Sequence, residues 1–131
     1  MSADQSVLFV EDEPLLRELA IIILGDAGFQ VVTAENGRAA FEALDEDGSP
    51  FCAIVTDINL GAGPDGWAVA KRGRELNKAL PVIYLTGASG YQWQSQGVPK
   101  SMLLRKPFTS DEILQALRSI LGSAASQSGT G

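Results

Sequence analysis

Short apolar segments alternate with longer amphipathic segments along the chain. Five apolar runs have the length of a buried strand, and they cover residues 6–10, 30–34, 52–56, 81–85 and 101–104. Between them, apolar residues recur every three or four positions, which is the spacing of one helix face. The pattern predicts strands that alternate with helices.

Residues that start and stop helices lie at the ends of the amphipathic segments. The first helix follows an acidic turn at residues 11–14 and should end at Gly28. Asn36 can cap a second helix, which a Gly-Ser-Pro sequence at residues 48–50 ends. A third helix is expected over about residues 65–77.

The last predicted helix has the clearest signals. Thr109 and Glu112 have the spacing of a capping box, and the apolar residues that follow share one face. Gly122 should end this helix, because the residues after it are small and polar with no apolar periodicity. We therefore expect one domain over residues 1–122 and a disordered tail over residues 123–131.

The segment between the fourth and fifth strands, residues 88–100, is a poor helix sequence. It contains two Gly and one Pro, which lower helix propensity. We expect the fourth helix to be short or irregular. Tyr91 and Trp93 are then candidates for anchoring a partner, because aromatic residues are favoured at interfaces. The alternative is that both rings lie in the core.

Near-continuous apolar strands that alternate with helices are typical of a parallel sheet with both faces covered. The predicted fold class is therefore α/β, a doubly wound five-stranded parallel sheet with helices on both faces and right-handed crossovers. Ligands bind beyond the carboxyl ends of the strands in such sheets. This rule directs attention to the residues at the strand ends.

Polar residues lie at four of the predicted strand ends. Glu11 and Asp12 follow the first strand, Asp57 the third, Thr86 the fourth and Lys106 the fifth. Neighbouring carboxylates raise one another's pKa unless a cation lies among them. Because the available ligands are oxygens, the expected cation is Mg²⁺ or Mn²⁺.

Composition excludes several classes of function. The 131 residues make one domain, and the sequence has no histidine, which rules out His-based acid/base chemistry and a Ser-His triad. A single cysteine, Cys52, cannot form an internal disulfide. The net charge of −6 argues against nucleic-acid binding. No apolar run is long enough to cross a membrane and no signal peptide is evident, so we expect a cytoplasmic chain without membrane contact.

Four short motifs, in order, resemble those of the receiver domains of two-component response regulators, and the resemblance covers residues 6–121. They are Val-Glu-Asp-Glu-Pro at 10–14, Thr-Asp at 56–57, Leu-Thr-Gly at 85–87 and Lys-Pro-Phe at 106–108. The resemblance implies a flavodoxin-like fold. It also implies a cis peptide bond between Lys106 and Pro107.

The same resemblance implies a role for each strand-end residue. Asp57 would be the phosphoacceptor, and its position alone at the end of a central strand suits a nucleophile. Thr86 and Lys106 would contact the phosphoryl group, where a lysine offsets the charge of the transferring oxygens. Mg²⁺ would be held by oxygens of four residues: Glu11, Asp12, Asp57 and, through its backbone carbonyl, Asn59.

Three features depart from the usual receiver pattern. Glu11 stands where most receivers have Asp, and the loop at residues 60–66 is one residue longer than usual and lacks the usual Pro. Leu103 stands where many receivers have an aromatic residue that moves on activation, so the usual coupling of that residue to the Thr is not expected here. The switch and partner surface would instead involve Leu103, Tyr91 and Trp93. Together these features are similar to the single-domain receivers of alphaproteobacteria.

The expected function is that of a phosphoacceptor signalling module without turnover of external substrates. A histidine kinase or phosphotransfer protein would phosphorylate Asp57, and a downstream protein would read the resulting conformational switch. One alternative is a small phosphohydrolase with an aspartyl-phosphate intermediate, although Asn59 stands where those enzymes need a second Asp. The other is a receiver domain excised from a hybrid histidine kinase, against which Met1 favours a whole gene product.

Overall fold

A computed structural model describes residues 5–46, 51–87 and 96–129 of the chain. Its elements in chain order are β1 (Ser6–Val10), α1 (Pro14–Asp26), β2 (Gln30–Ala34), α2 (Gly37–Asp45), β3 (Phe51–Asp57), α3 (Gly66–Leu76), β4 (Val82–Thr86), β5 (Ser101–Arg105) and α4 (Ser110–Gly129). Tyr91 and Trp93 lie outside the described residues, and so does most of the segment 88–100 in which a short helix is expected.

The five strands form one parallel sheet in the order β2-β1-β3-β4-β5. This arrangement confirms the predicted fold class. The chain changes its winding direction between β1 and β3, which are neighbours in the sheet. Val10 at the end of β1 pairs with Thr56 near the end of β3. A ligand site is expected at the carboxyl edge here.

Alternate residues of the strands enter two separate cores, as expected for a sheet covered on both faces. One core joins Leu8, Ile54 and Tyr84 to buried residues of α2 and α3. The other joins Phe9 and Val55 to buried residues of α1 and α4. The central strands are thus held from both sides, which gives the site a rigid base.

Side-chain caps start three of the helices. Asn36 Oδ1 accepts a hydrogen bond from the backbone N–H of Ala39 at 2.8 Å at the start of α2. Asp65 caps α3 in the same way. At α4 the predicted capping box is confirmed, because Thr109 and Glu112 each bond the other's backbone N–H, at 3.1 and 2.8 Å.

The predicted end of the last helix is wrong. Helix α4 continues through Gly122 to Gly129. A glycine ends a helix by adopting a left-handed conformation, as Gly28 does after α1 with φ = 99°, and Gly122 does not adopt one. The division of the chain at residue 122, with a disordered tail over residues 123–131, stays a prediction.

Candidate phosphoacceptor site

The carboxyl edge of the sheet brings three acidic residues together. Glu11 and Asp12 directly follow β1, and Asp57 is the last residue of the neighbouring strand β3. One carboxylate oxygen from each of the three lies within 4.8 Å of the others. The cluster therefore concentrates negative charge at this edge, and the metal ligands that these three side chains can offer are all oxygens.

The three acids differ sharply in exposure. Glu11 is completely buried and Asp57 is 7% exposed, whereas Asp12 is open to solvent. The backbone N–H of Glu11 extends the β1–β2 ladder by bonding the Ala34 carbonyl at 3.0 Å. Arg17 of α1 donates to the Glu11 carbonyl oxygen at 2.9 Å, so the turn is fixed from both sides.

Lys106 brings a positive charge into the cluster. Its Nζ donates to Asp57 Oδ2 at 3.1 Å and lies 2.9 Å from Glu11 Oε1. The contact with Glu11 has the distance of an ion pair without the geometry of a hydrogen bond. The backbone N–H of Lys106 donates to the Thr86 carbonyl at 2.8 Å, and the peptide bond to Pro107 is cis, as the resemblance implies.

Burial and charge shift the pKa values of this pair. Burial raises the pKa of Glu11 from 4.5 to about 7, the Lys106 ammonium opposes the rise, and the Asp57 charge adds to it. Burial lowers the pKa of Lys106, but its contacts with Glu11 and Asp57 outweigh this, and the net pKa is raised. Near neutral pH, Glu11 is therefore present in both its protonated and its ionised form.

Two buried oxygens at this edge have unused hydrogen-bonding capacity. Within the described part of the chain, Glu11 Oε1 and Thr86 Oγ1 are the buried side-chain oxygen or nitrogen atoms with no hydrogen-bond partner. Thr86 is only 3% exposed. An unpaired buried polar group costs about 1–3 kcal/mol. The Thr86 hydroxyl at the end of β4 is therefore a candidate hydrogen-bonding partner for a ligand.

The loop between β3 and α3 directly follows Asp57. Ile58 and Leu60 anchor it in the core, while Asn59 between them is exposed. Gly61 and Gly63 have φ values of 76° and 90°, a region that favours glycine. The two glycines therefore allow the longer loop to turn back toward α3.

Comparison with known proteins identifies the family to which this arrangement belongs. The model of the response regulator receiver domain matches residues 7–118. The chain belongs to the response regulator receiver domain family.

Relatives of this receiver domain differ in size. It is 29% identical over 117 residues to the response regulator receiver protein CpdR of Brucella abortus, covering 88% of this chain and 95% of CpdR. It is 32% identical to the sensor histidine kinase RcsC of Escherichia coli, covering 87% of this chain but only 12% of RcsC. A solved response regulator receiver protein from Sinorhizobium medicae is 37% identical, with a TM-score of 0.86 over 91% of this chain and 95% of that one.

Some contacts of the strand residues near the receiver site are not evident from the sequence. Tyr84, fully buried in β4, accepts a hydrogen bond from the backbone N–H of Val98 at 3.0 Å, and its ring centroid lies 4.7 Å from that of Trp67. Thr56 donates to the Asp57 carbonyl oxygen at 2.9 Å. The Thr-Asp motif at 56–57 includes Thr56 but does not indicate this bond, and the one signal for Tyr84 is a hydroxyl in an otherwise apolar strand.

The predicted switch residues are only partly described. Leu103 pairs with Tyr84 across the β4–β5 ladder, is half-buried and packs against the core formed with α2 and α3. It lies on β5, an edge strand of the sheet that carries none of the three acids. Its role in switching stays a prediction, as do those of Tyr91 and Trp93.

Proposed function

We propose that this receiver domain takes a phosphoryl group from the phosphohistidine of a histidine kinase or phosphotransfer protein onto Asp57. The proposal rests on the acidic and basic groups that surround Asp57. Its carboxylate ends a central strand, lies within 4.8 Å of oxygens of two other acids and accepts a hydrogen bond from Lys106 at 3.1 Å.

The residues present fit a hard divalent cation, Mg²⁺ or Mn²⁺. The candidate ligands are all oxygens, and Glu11, Asp12 and Asp57 each offer one carboxylate oxygen within 4.8 Å of the others. Glu11, Asp12 and Asp57 would hold the ion with the backbone carbonyl of Asn59. When bound, the ion would offset the negative charge of the phosphoryl oxygens.

The chain's own groups then account for the transfer. A carboxylate oxygen of Asp57 forms a bond to phosphorus as the bond from phosphorus to the donor imidazole nitrogen breaks, and that nitrogen keeps the electron pair. Lys106, already bonded to Asp57, is close enough to turn its ammonium toward the arriving oxygens. The Thr86 hydroxyl, which has no partner among the described residues, gains one.

We infer that the domain signals instead of turning over external substrates. Asn59 cannot serve as the second acid that an aspartyl-phosphate hydrolase uses two residues after its nucleophile. A downstream protein would read the phosphorylated state, and a surface that includes Leu103, Tyr91 and Trp93 is the candidate contact. The similarity to part of RcsC favours, as the alternative, the same chemistry within a larger sensor kinase.

The proposed location is the cytoplasm. None of the described helices combines the length and the apolar character that a membrane crossing requires. Intracellular phosphohistidine donors would meet the domain in that compartment.

Intact-mass measurement after incubation with acetyl phosphate and Mg²⁺ tests the proposal. Wild type should gain the mass of one phosphoryl group and Asp57→Asn should gain none. Asp26→Asn, which alters an exposed acid on α1, is the matched control and should be labelled like wild type. Labelling of Asp57→Asn, or unchanged labelling of wild type in a chelator, would contradict the assignment.

A further inference from the structure

We propose that Gly37, the first residue of α2, is a positioning residue for the loop that follows the phosphoacceptor. The inference rests on the proposed function, because the object positioned is the loop that carries Asn59. Gly37 lies in a different β/α unit from that loop and has no side chain to contact a ligand. Its effect would come from the space that it leaves free.

The space around Gly37 is occupied by the backbone of Pro64. A Cβ atom added to Gly37 would overlap the Pro64 carbonyl oxygen and lie 2.8 Å from both the carbonyl carbon and the Cβ of Pro64. Backbone atoms cannot rotate away as a flexible side chain does. Any residue larger than glycine at position 37 must therefore push Pro64 away from α2.

Backbone conformation does not explain a glycine at this position. Gly37 is not among the residues with a left-handed φ, so its conformation suits any L-residue. In a helix, alanine is favoured over glycine. Close packing against Pro64 is the feature that sets Gly37 apart.

The other end of the loop is fixed just as tightly. The Gly66 N–H donates to the Ile58 carbonyl at 2.9 Å, and a Cβ on Gly66 would overlap the Asp57 carbonyl oxygen and lie 2.8 Å from Ile58 Cα. The buried side chains of Ile58 and Leu60 hold the first part of the loop. The loop is thus closed at its base and supported at Pro64 by α2.

Displacing Pro64 should therefore pull on the short stretch between Leu60 and Pro64 and alter the position of the Asn59 carbonyl, even though Ile58 and Leu60 stay buried. In metal sites, changing residues that only orient the ligands typically costs 10- to 100-fold in metal affinity. We expect Gly37→Ala to weaken Mg²⁺ binding by about tenfold, although it touches no proposed ligand.

The experiment measures Mg²⁺ affinity by titration calorimetry on the folded full chain. Gly25→Ala is the matched control, because Gly25 also lies in a helix, lacks a left-handed φ and has open space within 4 Å of the position that an added Cβ would take. Backbone amide chemical shifts of residues 58–66, recorded without Mg²⁺, provide a second readout. They should move in Gly37→Ala and stay unchanged in Gly25→Ala.

A second variant covers the case in which Gly37→Ala does not fold. Pro64→Gly removes the Pro64 side-chain contact from the loop side and frees its backbone, so it should also weaken Mg²⁺ binding. If a folded Gly37→Ala, or Pro64→Gly in its place, binds Mg²⁺ as wild type does, the inference is overturned and the proposed function stands. If wild type itself does not bind Mg²⁺, the proposed function fails, and the inference fails with it.

Discussion

The burial of Glu11 predicts that the metal-free protein loses stability as the pH rises through neutrality. Burial raises the pKa of Glu11 from 4.5 to about 7 in the folded state. The folded protein therefore holds this proton more tightly than the unfolded chain does. Its contribution to stability is complete below pH 4.5 and is lost as the pH rises through about 7.

The size of the effect follows from the two pKa values. Each pKa unit between the folded and unfolded states corresponds to about 1.4 kcal/mol. Between about pH 5 and pH 8, the rise in the Glu11 pKa predicts a loss of about 2 to 3 kcal/mol in the free energy of unfolding. Glu11→Gln removes the titrating group, so this part of the pH dependence should disappear.

Urea denaturation in a chelator, at about pH 5 and pH 8, measures the difference. The change in unfolding free energy between the two pH values should be about 2 kcal/mol smaller in Glu11→Gln than in wild type. Glu18→Gln, which alters an exposed acid on α1, serves as the control and should follow wild type. If wild type and Glu11→Gln change in parallel, the assigned titration of Glu11 is refuted.

Three further substitutions test other parts of the structure. Lys106→Met should still bind Mg²⁺, because an ammonium cannot be a metal ligand. It should bind a beryllofluoride mimic about tenfold more weakly through loss of one charge-assisted hydrogen bond, and equal mimic affinity would contradict this. Tyr84→Phe leaves the buried Val98 N–H without its acceptor and should cost about 1–3 kcal/mol in urea denaturation, whereas an unchanged midpoint would exclude the bond as a stabilising contact. Thr109→Ala should cost about 1 kcal/mol by the same measurement, which Ser110→Ala beside it controls.

The strands were predictable because burial on both sheet faces requires a continuous apolar run. The predicted third strand, residues 52–56, and the observed Phe51–Asp57 differ by one residue at each end. The end of α4 was not predictable from Gly122, because glycine permits a left-handed turn without requiring one. Whether the turn forms depends on the backbone around it.

The location of the acidic cluster was predictable, but its energetics were not. Carboxyl ends of parallel strands share one edge, so acids at two adjacent strand ends must approach each other. Nothing in two consecutive acids indicates that Glu11 is buried and Asp12 exposed. The approach of Gly37 to Pro64 is similarly hidden, because it depends on how two separate β/α units pack.

The order of the strands has a consequence for when the site comes into existence. Its polar groups come from the ends of β1, β3 and β4 and from the residue after β5, so no contiguous fragment shorter than nearly the whole matched region contains them all. During synthesis on the ribosome, a nascent chain would carry Asp57 long before Lys106 emerged to neutralise it. The acids can therefore gain this cationic partner only after β5 has been synthesised, because Lys106 directly follows that strand.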